Sequence, residues 1–233
     1  GLSHFVMAEG KESNRLTTAN AYLKALDKVT ERETKAIIIR QLQIVGKDES
    51  VDALGRFLNE ESLSGPAARA LATINTEKAK QALQSALLRK MGTAKTQQDV
   101  ILAIGEAQME VPEDLIKGML GNGDQNMQKV VNYTLSRIGS AASLKDMGAA
   151  AEKVGFVVEN TGANEAYIAL IKRVSAKGNV KEAEKAANDL LKKATKAGKT
   201  HTRDAALEIL FSTNKANATK LLLTALKAPC KAY

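Results

Sequence analysis

Five lysines, Lys181, Lys185, Lys192, Lys196 and Lys199, fall at offsets of 0, 4, 11, 15 and 18 residues. On a helix these offsets align along one stripe, opposite Ala183, Ala187, Leu190, Leu191 and Ala194. With Lys172, Arg173, Lys177, Lys193 and Arg203 nearby in the chain they make a cationic patch. A row of ammonium groups attracts anions, either the phosphates of a nucleic-acid backbone or the carboxylates of an acidic protein. The row itself contains no arginine and no interleaved aromatic ring, so it offers little bidentate recognition and no base stacking. The plainer reading is a solvated helix face, eased by Glu182 and Glu184 and by lysines close to a helix C-terminus, and the residues favour it.

Other chemistry is thinner. His4 and His201 stand far apart in the chain, without carboxylate or cysteine neighbours at ligand spacing. They read as surface residues. Gly46-Lys47-Asp48-Glu49-Ser50 lacks the glycine order of a phosphate loop, and Gly121-x-Gly123 lacks a third glycine and a preceding strand. Both read as turns. The carboxylate pairs Glu31/Glu33, Glu60/Glu61 and Glu113/Asp114 sit at expected helix starts, where solvated caps explain them better than acid–base work. The single cysteine, Cys230, excludes an internal disulfide and a multi-cysteine metal site. No catalytic, cofactor-binding or metal-ligating residue is expected, and no cofactor.

The elements that hold the lysine row are legible from composition and periodicity. The chain has 233 residues, 44% hydrophobic and 26% charged, with a mean hydropathy of -0.21. Aromatic residues make up only 3%, so Leu, Ile, Val and Ala must build the core, which suits stacked helices and suits strands badly. No apolar run approaches the length of a membrane span. The charge is lopsided: residues 1–124 hold 16 Lys/Arg against 17 Asp/Glu, and residues 125–233 hold 18 against 9. An electrostatic partner would therefore be met by the second half.

An apolar pair three residues apart recurs as Leu42/Val45, Leu71/Ile74, Ile101/Ile104, Leu135/Ile138, Ile171/Val174 and Leu207/Leu210. The second members lie 29 to 36 residues apart, and Gly46, Asn75, Gly105 or Gly139 follows four of the pairs as a helix-ending residue. Periods of this size, built from helical apolar patterns, predict an α-solenoid. A capping helix is expected from Ser13, as N-cap, to about Val29, with Leu16, Ala19, Leu23 and Leu26 inward. Six pairs of helices, A then B, follow over residues 31–228. Pro66 and Pro112 open two of those helices. The sixth B helix carries Ala218, Leu221, Leu222, Ala225 and Leu226 and ends at Pro229. Residues 1–30 thus form an N-terminal segment, and 229–233 a stub that suggests a piece of a longer protein.

Ala-Leu-Ala-Thr-Ile-Asn at 70–75, Leu-Ser-Arg-Ile-Gly at 135–139 and the looser Ala-Ala-Leu-Glu-Ile-Leu at 205–210 resemble HEAT repeats of the armadillo-like α-α superhelix class. The resemblance implies an all-α right-handed superhelix of helix pairs with B helices on the concave side. The frequent helix-A proline of that family is missing here. The implied role is a non-enzymatic scaffold for a protein or peptide partner, or for an adjacent domain of the full-length chain. The segment is also similar to HEAT regions of exported bacterial proteins, which places it in the periplasm ahead of the cytoplasm. Nucleic-acid binding along the basic stripe is the alternative. A HEAT-like DNA glycosylase comes third, disfavoured because the chain has no tryptophan.

Overall fold

The computed structural model describes residues 1–90 and 92–213, so the expected sixth B helix, Pro229, Cys230 and the 229–233 stub lie outside the described residues. Among the described residues there are thirteen α-helices, two 3-10 turns and no strand. The chain divides into two compact units, residues 1–115 and 116–233.

The first unit begins with α1 (Leu2–Phe5) and α2 (Glu12–Lys28) and continues with α3 (Arg32–Val45), α4 (Asp48–Arg56), α5 (Ser64–Ile74), α6 (Glu77–Leu88) and α7 (Ala94–Glu106). α2 packs on α3 and α4. α3 packs on α5, and α5 on α7, while α4 packs on α6. Ile39, Leu42, Leu54, Leu71, Leu83, Ile101 and Ile104 are fully buried among these helices. Each such side chain contributes roughly 1.5–3 kcal/mol by leaving water. The division between the units falls inside α8 (Glu113–Lys117), which starts right after Pro112 as expected but lasts little more than one turn.

The second unit holds α9 (Gln125–Ile138), α10 (Leu144–Lys153), α11 (Ala163–Ala176), α12 (Val180–Lys196) and α13 (Thr200–Thr213). α9 packs on α11 and α11 on α13, while α10 and α12 each rest on α11 and on one another, and α12 also packs broadly on α13. In both units the substantial interfaces join helices that are adjacent or next-but-one in the chain, although α3 and α4, and α9 and α10, do not pack substantially on one another.

The recurring apolar pairs are the joints of this packing. Ten of their twelve members are buried, and Ile74 and Ile138 are half-buried. The helix ends differ from the expectation in several places, the first being the expected Gly46–Ser50 turn, of which Asp48, Glu49 and Ser50 already belong to α4. Gly105 does not end α7, which runs to Glu106 and closes at Gln108 (φ +48), whose successor Met109 donates from its N–H to the carbonyl of Ile104 at 3.0 Å. Ser13 is not the N-cap of α2, which starts at Glu12 after Lys11. The inward face of α2 also shifts: Leu16 is exposed and Arg15 is buried in its stead. The reason is polar. Arg15 donates to the carbonyl of Val45 and, at 2.6 Å, to Glu49, groups that the α3–α4 junction would otherwise leave without a strong donor.

Gly46 and Gly139 have a steric role beyond ending a helix. Their backbone is extended, and an added Cβ would lie 2.5 Å from the carbonyl oxygen of Leu42 or Leu135. Asn75 ends α5 differently, in the left-handed region at φ +51.

Candidate functional site

α12 is strongly two-sided. Ala183, Ala186, Ala187, Leu190 and Ala194 are buried, while Lys181, Lys185, Lys192 and Lys196 are exposed on the opposite face. Lys199 does not belong to that face. Gly198 (φ +67) turns the chain after Lys196, and the N–H of Lys199 donates to the carbonyl of Ala194 at 2.9 Å, leaving Lys199 half-buried beyond the helix end. The stripe of five is thus a row of four with a fifth cation at its end.

The surrounding cations separate from the row. Lys193 pairs with Glu152 at 2.8 Å and Asp189 at 3.0 Å, and the hydrogen bonds its ammonium donates to these two carboxylates, Glu152 first, push its pKa above the ordinary lysine value. Lys172 pairs with Glu208 at 2.9 Å. Arg203 is buried and holds Asp204 at 2.8 Å, and Arg173 donates to the carbonyl of Gly139 at 3.3 Å. Lys177 is exposed. Among the described residues none of the row's four lysines lies within ion-pair distance of a carboxylate. Asn188 stands mid-row and turns its amide back to the carbonyl of Glu184 at 2.9 Å.

The row also works against the helix. Lys181/Lys185 and Lys192/Lys196 are like-charged pairs one turn apart, each unfavourable by about 0.2–0.5 kcal/mol. Lys181 sits in the first turn, where the helix dipole repels a cation. Lys196, in the last turn, gains from the same dipole.

Several expected non-sites have clear structural employment. His4 and His201 are exposed, and among the described residues no group of three or more His, Cys, Asp or Glu is placed to hold a metal ion. The N–H of Lys47 donates to Glu49 at 3.0 Å, and that of Gly121 to Gln128 at 2.8 Å. Asp124 caps α9 by accepting from Met127 at 2.7 Å. Burial would raise the carboxyl of Glu49, but Arg15 and main-chain N–H groups outweigh it and hold the pKa below the ordinary value. Glu159 shows the same balance: burial is outweighed by hydrogen bonds from Thr161, Ala163 and Gly162 at the start of α11. Burial, with Asp189 assisting, pushes the Tyr167 phenol up to about 12. Its ring lies so near Gly148 that a Cβ there would meet it at 3.1 Å.

One surface was not foreseen from the sequence. Between α4 and α6 lies a groove of about 480 Å³ lined by Val51, Asp52, Gly55, Arg56, Leu58, Asn59, Ala82 and Ala86. Gly55, Ala82 and Ala86 leave the space, and Asp52 and Arg56 are tied to Lys78 and Asp27 at 2.7 and 3.2 Å. The signal was present as small residues on facing helices. No protein family, curated protein or solved structure matches this chain.

Proposed function

We propose that the chain is a non-enzymatic α-solenoid of HEAT-like helix pairs that docks a protein or peptide partner, or an adjacent domain, on its B helices. The observation that supports this reading is the alternating layer packing: α3, α5 and α7 follow one another in one layer and α4 and α6 in the other, and α9, α11 and α13 alternate likewise with α10 and α12. Stacking of this kind buries one side of each B helix and leaves the other available. Two B-helix features have a use in docking: the groove between α4 and α6, and the free lysine row of α12. Apart from Tyr167, which is shifted by burial, the shifted acids and bases among the described residues serve caps and ion pairs, which also favours a scaffold over a catalyst.

A photo-crosslinking residue at Gly55 or Lys185, on B helices, is compared with one at Ile37 or Lys172, on A helices, in extracts of the source cells. The reading expects the same partner to be captured from B positions and not from A positions. Capture from A positions alone, or from none, overturns it. The second reading, a nucleic-acid-binding solenoid, draws on the unpaired lysines. It expects a short duplex or RNA hairpin to bind with a steep salt dependence.

A further inference from the structure

Resting on that scaffold reading, we infer that the lysine row of α12 is a docking surface for an acidic amphipathic helix of a protein partner. Among the described residues no carboxylate, the flanking Glu182 and Glu184 included, lies within ion-pair distance of the row. Asp189, the acid nearest its middle, is drawn aside to Lys193, and Lys193 itself is neutralised against Glu152 on α10. Asn188 fills the centre of the row without adding or cancelling charge. What remains is Lys181, Lys185, Lys192 and Lys196, exposed and on one straight face.

Spacing points to a helix. Steps of four, seven and four residues at 1.5 Å rise place the ammonium groups along roughly 22 Å of axis. A second helix with carboxylates at the same steps meets every lysine, and because the steps read alike in both directions, it does so parallel or antiparallel. The flank points to a protein. Val180 is 37% exposed and Leu191 half-buried, both on the side of α12 between the row and the buried face. A basic row with an apolar shoulder matches an amphipathic partner that carries acids beside leucines. Lysine serves carboxylates as a point charge, and no arginine fork or exposed ring stands in the row to read a nucleic acid.

The probe is a fluorescein-labelled helical peptide of alanine, leucine and glutamate with its carboxylates at four-seven-four spacing. A peptide of equal composition carries the same glutamates scattered around the helix, and a DNA duplex of similar length is the third ligand. Anisotropy is read with the full chain at physiological salt. The inference expects the spaced peptide to bind at least about tenfold more tightly than the scattered one. The Lys185→Glu/Lys192→Glu variant should lose it. Equal binding of the two acidic peptides, or no binding, overturns the inference, and tighter binding of the duplex assigns the row to nucleic acid. The peptide comparison needs only the unaltered chain, so it decides even if the variant folds poorly. Should the peptides fail while crosslinks at Gly55 persist, the acidic partner falls and the scaffold stands. Should the peptides succeed while no B position crosslinks in extract, the scaffold reading falls.

Discussion

The guanidinium of Arg15 closes the C-terminus of α3 from another helix: it donates to the carbonyl of Val45 and holds Glu49 at 2.6 Å, itself only 3% exposed. Glu12 joins from the same helix at 2.8 Å and reaches Lys47 at 3.0 Å. Replacing Arg15 by methionine keeps the bulk but leaves a carbonyl and a half-buried carboxylate without their donor. We expect a loss of about 2–4 kcal/mol, below the full cost of a dry ion pair because Glu12 and Glu49 retain solvent. Urea unfolding followed by circular dichroism measures it, and a loss under about 0.5 kcal/mol contradicts the assignment.

Glu49 and Glu159 give each unit its own acid sensitivity. Both have folded pKa values below the ordinary 4.5. A depressed carboxylate stabilises the fold fully above its unfolded value and loses that contribution as pH falls through the lower folded one. Melting temperature should therefore hold above about pH 5 and fall progressively below pH 4.5. Glu49→Gln or Glu159→Gln should lower stability at neutral pH and flatten that acid limb, and an unchanged limb in both contradicts the sign.

Helix ends that look alike in sequence should respond differently to alanine. At Gly46 and Gly139 a methyl group would overlap a carbonyl oxygen at 2.5 Å, so Gly46→Ala and Gly139→Ala should each cost about 1–3 kcal/mol. Asn75→Gly, at a left-handed position, should change stability by less than about 0.5 kcal/mol. Gly105→Ala belongs to neither class, because that residue lies inside α7.

How much of this was legible in the sequence follows from what each residue answers to. The apolar pairs are set by local helical period and burial, which is why Leu42/Val45 or Ile101/Ile104 could be read directly. Arg15 could not, because its role depends on a junction 30 residues away, and Leu16 was the better guess on hydrophobicity alone. The α12 row was readable to Lys196. Extending it to Lys199 assumed that the helix ignores Gly198, whose positive φ ends it. The neutralisation of Lys193 by Glu152 also lay across 41 residues and out of reach of spacing arguments.

Asn164, Thr202 and the carbonyl of Phe156 form a buried relay: Asn164 donates to the Thr202 hydroxyl at 2.9 Å, which donates onward at 2.9 Å. Thr202→Val keeps the shape and strands both ends, for an expected loss of about 1–3 kcal/mol. Asn164→Leu removes a polar group whose Oδ1 already has no partner among the described residues. The double variant should recover part of the loss, giving a coupling energy above about 0.5 kcal/mol in a double-mutant cycle. Additive losses would mean the relay is not a unit.

Charge reversal at the two ends of the lysine row should have opposite signs. Lys181→Glu places an acid in the first turn of α12 and four residues before Lys185, so it should stabilise by about 0.3–1 kcal/mol. Lys196→Glu puts the wrong charge at the negative end and should destabilise, but by less, because Lys192 is then attracted rather than repelled. Thermal melts of the two variants check this, and equal shifts would mean that the dipole argument fails here.

Among the described residues of each unit, every substantial interface joins helices no more than two places apart in chain order. Loops closed by such contacts are short, so little chain entropy is lost per contact and folding should be rapid. During synthesis each helix meets its neighbours soon after it emerges, and apolar residues such as Ile38 and Ile39 wait only briefly for cover.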